Sequence, residues 1–244
     1  MNSLSVQLGV NRVLFSKHVS YSTVSMDFKA DFERKLGEHN LKFDVRAVIT
    51  GDGQLYPLGS DTKVLSSVFE LVTRPLVYEI ASEHGLKVRE ATAQNVYPDF
   101  TLMEDVEDKA KIAVDVKTTY RIVDSGWKCS FTLGSYTSFI HAHRKKKNIE
   151  FPFDHYAKHW IIGYIYKRKA PEETGTYVYK AADLKNIPVP FEDVDVFVQE
   201  KWRIAGTTAG SGNTANIGSI KGTLEDFRNG GTPFQSEDEF LDYW

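Results

Sequence analysis

The sequence predicts a mixed α/β domain, a central β-sheet flanked by helices, and three observations predict it. Residues 111–117 alternate: Ile112, Val114 and Val116 fall on one side of a strand and Ala113, Asp115 and Lys117 on the other. Residues 27–39 carry Phe28, Phe32 and Leu36, and residues 61–73 carry Val64, Leu65, Val68, Phe69 and Val72, both at helical spacing. The order helix, strand, helix, then several strands lacks the regular strand–helix alternation of a doubly wound sheet.

Taken in order, residues 27–39 form an amphipathic helix and 43–50 a strand. Gly51-Asp52-Gly53 turns the chain into Gln54-Leu55-Tyr56. Ser60 or Asp61 caps the helix that runs to Thr73. Pro75 sits in the first turn of a separate helix, which Gly85 ends. Residues 86–90 form a short strand and 91–97 a loop. Residues 99–103 and 111–117 form two strands joined by an acidic link, 104–108, as an antiparallel hairpin. Residues 131–133 add a strand, 141–147 a basic loop, 153–160 a helical or irregular stretch, and 161–168 and 194–202 two more strands. Residues 205–219, rich in Gly, Ser, Thr and Asn, read as a loop, and 236–244 as an acidic, aromatic close.

A length of 244 residues fits one large domain or two small ones. The formal net charge of −3 excludes nucleic-acid binding by the surface as a whole, so such a partner requires a local basic cleft. With a single cysteine, Cys129, neither an intramolecular disulfide nor a cysteine zinc cluster can form, which suits a reducing cytoplasm. No apolar run reaches the roughly 18 residues of a membrane span. Residues 1–25 contain Arg12, Lys17 and many serines but no acid. They are expected to be a disordered extension outside a domain that spans 26–244, with Met26 as an alternative start.

The predicted hairpin brings Asp99 close to Asp115, with Lys117 on the same face as Asp115. Two carboxylates and an ammonium at one point can hold Mg²⁺, which takes oxygen ligands and needs few of them from protein. They can also direct water at a phosphodiester. The plainer reading of the same residues is a solvated face with a weak ion pair. Glu70, on the predicted helix 61–73, is either a solvated residue at the helix edge or a third acid of the same site.

Residues 209–216 lack the Gly-Lys-Ser/Thr of a phosphate-binding loop and the glycine spacing of a dinucleotide fingerprint. They fit a flexible surface loop. They equally fit a loop whose glycines let backbone approach base edges while Asn pairs with adenine and Thr meets a thymine methyl. Residues 144–147, Lys145 among them, are a solvated charge run or, on a nuclease, phosphate contacts. His141 and His143 lack a third ligand nearby, and no Gly-x-Ser-x-Gly elbow is present.

Longer stretches carry a family resemblance. They are Tyr56-Pro57-Leu58-Gly59-Ser60-Asp61-Thr62-Lys63-Val64-Leu65, Tyr97-Pro98-Asp99-Phe100-Thr101-Leu102 and Asp115-Val116-Lys117-Thr118-Thr119-Tyr120. Tyr136-Thr137-Ser138-Phe139-Ile140, His159-Trp160-Ile161-Ile162-Gly163-Tyr164, Ala209-Gly210-Ser211-Gly212-Asn213-Thr214 and the closing residues 236–244 follow in order. Over residues 26–244 the chain resembles the type II restriction endonucleases of the PD-(D/E)xK nuclease superfamily. The resemblance implies a restriction-endonuclease-like fold with a central mixed sheet flanked by helices. It implies that Asp99 and Asp115 ligate Mg²⁺, that Lys117 is the catalytic lysine, and that Glu70 is a further carboxylate of the metal centre.

It further implies that the recognition loop lies within 205–219, where Gly210, Ser211, Gly212, Asn213, Thr214 and Asn216 meet DNA in the major groove. Gln94 and Asn95 approach from the minor-groove side, and Thr118, Thr119 and Lys145 are further DNA contacts. A symmetric homodimer on double-stranded DNA follows, cutting GATATC at its centre to blunt ends within a restriction–modification system. Two positions depart from the family pattern: Ala93 stands where a second glutamine is expected, and Ala215 where a threonine is. Family members continue beyond Asp-Tyr-Trp with a basic segment, so the alternative expectation is a shortened, inactive relic that folds and binds DNA without cutting.

Overall fold

The computed structural model describes residues 26–40, 43–121, 127–142, 148–169, 177–210 and 216–244. The expected extension 1–25, residues 211–214 of the recognition loop and Lys145 lie outside the described residues.

Helix α1 (Phe28–Glu38) starts where the Asp27 carboxylate accepts the Ala30 N–H at 3.1 Å. Strands β1 (Ala47–Ile49) and β2 (Gln54–Pro57) pair antiparallel about the Gly51-Asp52-Gly53 turn. The strand expected over 43–50 is therefore shorter, because Phe43 and Val45 turn to pack on the main core. Helix α2 (Thr62–Glu83) follows, capped by Asp61 through the N–H groups of Lys63 and Val64.

The two helices expected on either side of Pro75 are one helix of 22 residues. Pro75 removes a single helical hydrogen bond, to the Leu71 carbonyl, and both residues lie on the solvent side. Meanwhile Leu76, Val77, Ile80 and Ala81 continue the buried stripe begun by Leu65 and Phe69. Burial of that stripe outweighs one lost bond.

The chain continues through β3 (Lys87–Glu90), β4 (Phe100–Met103), β5 (Lys111–Tyr120), β6 (Thr132–Tyr136), α3 (Thr137–His141) and β7 (Tyr156–Arg168). Then come β8 (Tyr179–Lys180), β9 (Phe191–Glu200), α4 (Lys201–Ile204), β10 (Ala205–Ala209), β11 (Asn216–Ser219), α5 (Leu224–Asn229) and α6 (Glu237–Tyr243). Of the stretch 153–160, only Phe153–His155 is helical, as a 3-10 turn, and Tyr156 already opens β7. β9 starts before the expected 194 and gives way at Glu200 to α4.

The central sheet has the order β3-β4-β5-β7-β9 and is mixed: β5 and β7 run parallel, and the other neighbours antiparallel. One face packs on both long helices through Ile112, Val114, Val116, Ile162, Tyr164 and Tyr166 against Phe28, Phe32, Leu65, Phe69 and Val77. On the opposite face, Ile161, Ile165 and Phe197 meet Phe131, Leu133, Ile204, Ile217, Phe227, Phe240 and Trp244. That second core is built from β6, β11 and the short C-terminal helices. A third, smaller sheet, β1-β2-β8, stands apart.

The segment 205–219, expected to be a loop, has two ordered arms. β10 pairs with β11, and β11 pairs with β6. Gly206, Gly210 and Gly218 serve close packing of backbone rather than flexibility. A Cβ on Gly218 would lie 2.3 Å from the Thr208 carbonyl oxygen, and one on Gly206 2.9 Å from that of Ser219. The Thr223–Asp226 capping box starts α5, and Ser236 caps α6.

The face-to-face packing of Gly163 and Phe197 is the tightest glycine contact, with a built Cβ 2.1 Å from the Phe197 ring. Gly163→Ala is expected to destabilise the fold by about 1–3 kcal/mol through overpacking. Gly37→Ala, in open space near the end of α1, is expected to be neutral or stabilising by about 0.5–1 kcal/mol. Urea midpoints at unchanged slope measure both, and an unperturbed Gly163→Ala midpoint would contradict this packing.

Candidate active site

The site starts from strand register. β4 and β5 pair Phe100 with Val114, Thr101 with Ala113 and Leu102 with Ile112. One further step sets Asp99 opposite Asp115, as the predicted hairpin requires. The alternation within β5 also matches: Ile112, Val114 and Val116 enter the helix-facing core, and Asp115 and Lys117 share the other side. The chain enters Asp99 through a cis Tyr97–Pro98 bond.

Asp115 is 2% exposed. Its Oδ2 lies 2.6 Å from Lys117 Nζ, yet it is buried with no hydrogen bond of good geometry. The contact is an ion pair, and the Lys117 ammonium gives its directed hydrogen bond to the Val116 carbonyl at 3.2 Å. Asp99 Oδ2 accepts the Val116 N–H at 2.6 Å. β6 passes over this cluster at Gly134, whose φ is +62° and whose added Cβ would stand 3.8 Å from Lys117 Cε and 3.9 Å from Asp115 Oδ2. A glycine there leaves room above the acids and permits the left-handed turn of the backbone.

The electrostatics follow from burial. Loss of water and the Asp115 charge push the Asp99 carboxyl up to about 8, against the pull of Lys117 and the Val116 N–H. Burial alone would lower Lys117, but the Asp115 and Asp99 carboxylates outweigh it and hold its pKa above the ordinary lysine value. Burial also raises Glu70, with Arg74 and Lys117 opposing. Behind the site, Lys201 is 3% exposed, and burial brings it down to about 7. Its ammonium lies 4.5 Å from the centre of the Tyr97 ring. The Tyr97 hydroxyl pairs with His159 Nδ1 at 2.7 Å, and burial takes His159 down to about 3.

Two adjoining grooves open from the acids. Gln94, Asn95, Gly134, Asn148 and Asn216 border one, with Asp99, Asp115 and Lys117 at its floor. The other runs along α2, where Glu70 and Thr118 join Thr62, Lys63, Ser66 and Ser67 beside Asp99 and Lys117. The structure thus brings Asp99, Asp115 and Lys117 together and sets Gln94, Asn95 and Asn216 around them.

Glu70 shares the second groove. It lines that groove together with Asp99 and Lys117, and among the described residues no group of three or more His, Cys, Asp or Glu is found that could hold a metal ion. Gly210 is tied into the hairpin: its N–H donates to the Asn216 carbonyl at 2.8 Å, and its carbonyl accepts the Thr132 hydroxyl at 2.7 Å. Thr119 borders neither groove. Ser211, Gly212, Asn213, Thr214 and Lys145 fall outside the described residues. Sequence reasoning missed the polar edge of α2. Its signal was present: Lys63, Ser66, Ser67 and Glu70 fall at i, i+3, i+4 and i+7, on one helix face.

The donor set fits a hard divalent cation: a buried carboxylate oxygen without a hydrogen bond, a second carboxyl held from ionising by burial and by its neighbour, and a glycine that leaves space above them. A Pro-Asp entering one strand and an Asp-x-Lys in the next, on a mixed sheet with helices against it, define the PD-(D/E)xK class of nuclease centre.

Within that class the chain belongs to the EcoRV family of restriction endonucleases, site-specific deoxyribonucleases, since the model described as restriction endonuclease EcoRV matches residues 39–244. The type II restriction enzyme EcoRV of Escherichia coli is 51% identical over 219 residues, covering 90% of this chain and 88% of that protein. The solved NlaIV restriction endonuclease superposes with a TM-score of 0.46 at 13% identity, covering 89% of this chain and 78% of the other.

The raised Asp99 has a measurable consequence. Because its folded pKa lies above the ordinary 3.8, its contribution to stability is intact at low pH and is lost as pH rises towards about 8. The lowered His159 acts oppositely below 6.5, so the comparison needs a matched variant. In chelator, Asp99→Asn is expected to gain stability over the parent progressively between pH 3.8 and about 8. Chemical denaturation across that range checks it, and a gain independent of pH would contradict the repulsion between Asp99 and Asp115.

Proposed function

We propose that this chain is a Mg²⁺-dependent type II restriction endonuclease. It acts in the cytoplasm as a homodimer and cuts both strands of duplex DNA at GATATC, centrally, leaving blunt ends. The observation that carries the reading is the convergence of Asp99, Asp115 and Lys117 at the floor of a polar groove. Half of all positions are shared with the Escherichia coli enzyme over nine-tenths of the chain, which supports the same reaction.

Asp99 and Asp115 would hold the cation, with Glu70 of the adjoining groove as a further ligand. When bound, the cation lowers the pKa of a water and offsets charge on the phosphoryl oxygens. Lys117 keeps its proton beside the two carboxylates, so it acts as a fixed positive charge that orients the attacking water and stabilises the crowded phosphoryl oxygens. The water oxygen bonds to phosphorus as the bond to the 3′ oxygen breaks, giving a 5′ phosphate and a 3′ hydroxyl. Gln94 and Asn95 reach the minor-groove side, and Asn213 with Gly210, Ser211, Gly212, Thr214 and Asn216 reads the major groove. Thr118, Thr119 and Lys145 are assigned further DNA contacts.

Support for a two-fold assembly comes from the small sheet. Val48, Ile49, Tyr56, Tyr177, Val178 and Leu184 are 42–64% exposed on or beside β1, β2 and β8. An apolar face of that kind suits a second copy, and a two-fold dimer suits a palindrome. Among the described residues no helix is long and apolar enough to cross a membrane.

Lys117→Ala is expected to fold and to bind the duplex while losing cleavage by about 10²–10³-fold or more. A plasmid digest with Mg²⁺ and end sequencing, with Asp115→Ala as control, measures this and maps the site. Ragged or scattered ends from the parent protein would reject the site assignment. Asn213→Ala is expected to lose about 1–3 kcal/mol of discrimination at one base pair, read from cleavage of single-base variants of the site.

A further inference from the structure

Glu150 holds both ends of the loop that carries Gln94 and Asn95. This loop, residues 91–97, leads from β3 to Asp99. Its tip is a short turn in which the Val96 N–H donates to the Ala93 carbonyl at 2.9 Å, leaving Gln94 and Asn95 exposed. At the leading end, the Ala91 N–H donates to the Asp99 carbonyl at 2.9 Å and the Thr92 N–H to Glu150 Oε1 at 2.6 Å. At the trailing end, the Tyr97 N–H donates to the Asn148 carbonyl at 3.1 Å, and the Glu150 N–H donates to the Tyr97 carbonyl at 2.9 Å. One residue therefore grips the loop by its side chain on one side and by its backbone on the other.

The grip is itself braced. Glu150 Oε2 accepts from Arg89 Nε at 3.0 Å, and the Arg89 guanidinium lies over the Phe151 ring, 5.5 Å from its centre. The Glu150 side chain is 3% exposed. A carboxylate sealed so far from water needs partners, and half of its partnership is the backbone of an exposed loop.

We propose that Glu150 is a positioning residue for the nucleic acid: it fixes the approach of Gln94 and Asn95 without touching DNA itself. The proposal rests on the reading of this groove as the DNA site. A loop held before binding loses little entropy on binding, so releasing it costs affinity. Asp99 does not depend on the grip, because β4 register and the Val116 N–H hold it. The effect therefore falls on KM and spares kcat.

The test compares full-length parent, Glu150→Ala and Glu150→Gln in steady-state cleavage of a GATATC duplex, with thermal melts and amide exchange on the free proteins. Glu150→Ala is expected to raise KM about tenfold, the scale of one hydrogen bond to a charged group. Its kcat should change little, and exchange should quicken at residues 92–96 only. Glutamine keeps an acceptor for the Thr92 N–H, so Glu150→Gln is expected to restore most of the KM. If Glu150→Ala does not fold, Thr92→Pro removes the donor from an exposed position and is expected to give the same rise.

An unchanged KM in either loop-releasing variant overturns the proposal. So do equal losses of kcat and melting temperature in both Glu150 variants, which would mark a structural tie only. A parent protein that neither binds nor cuts duplex overturns the functional reading and this proposal together. A parent that cuts, beside an indistinguishable Glu150→Ala, overturns this proposal alone.

Discussion

Two carboxylates set side by side with little water between them repel each other, and the rest of this structure is arranged to keep them there. Asp99 and Asp115 face each other because β4 and β5 cannot slide. Phe100 and Leu102 on one strand and Ile112, Val114 and Val116 on the other fill the core beneath α1 and α2. A slip of one residue would turn Asp115 into that core and an aliphatic side chain out of it, so burial of the apolar set fixes the acids. Lys117, two residues on and on the same face, supplies the positive charge that makes the arrangement tolerable without metal. The residual conflict shows in Asp99, whose carboxyl resists ionising, and in Asp115 Oδ2, which is buried with an ion pair but no hydrogen bond. Both are strains that a divalent cation relieves.

The same sheet explains why the charges are reachable. Its helix-facing side is closed by α1 and α2. Its other side is closed over β7 and β9, where Phe197 lies across Gly163 and packs with Phe131 and Phe227, and over β4 and β5, where Phe139, Ile149, Phe151 and Tyr156 cluster with Met103 and Ala113. Asp115 and Lys117 lie next to this cover, under β6, at the point where β6 has a glycine. The fold therefore buries the acids enough to raise their interaction energies and leaves one open side for a substrate.

Much of this was legible in the sequence because strand periodicity is a local signal. Seven residues around Asp115 give the strand, its two faces and the company of Lys117, and a short acidic link gives the hairpin that brings Asp99 across. The misreadings came where tertiary packing overrides local preference. Pro75 reads as a helix boundary, but the boundary is erased by a buried stripe that neither half of the helix reveals alone. The Gly, Ser, Thr and Asn content of 205–219 reads as flexibility, whereas Gly206 and Gly218 are there because neighbouring backbone comes within contact distance. Glu150 gives no sequence signal, since its partners Arg89 and Thr92 lie about sixty residues away and pair only in the fold.

In the proposed reading, recognition and chemistry share one wall of one groove. β11 carries Asn216 and connects directly to the segment 211–215. It pairs with β6, and Gly134 of β6 passes close over the Asp115–Lys117 pair. From the base-reading hairpin to the acids is thus a single strand pairing and one close contact, with glycines at the tight points. Gly210 packs against Thr132 of β6, and Gly218 against Thr208 of β10. On the opposite wall the loop 91–97 is equally short of slack, because it ends at Asp99 itself and is gripped by Glu150. The β10–β11 arm is joined to the acids through paired backbone, and the loop 91–97 is tied to Glu150 by its side chain as well as its backbone. A shift of the β10–β11 arm therefore moves a wall of the groove, whereas the loop 91–97 can shift while β4 register and the Val116 N–H hold Asp99 in place.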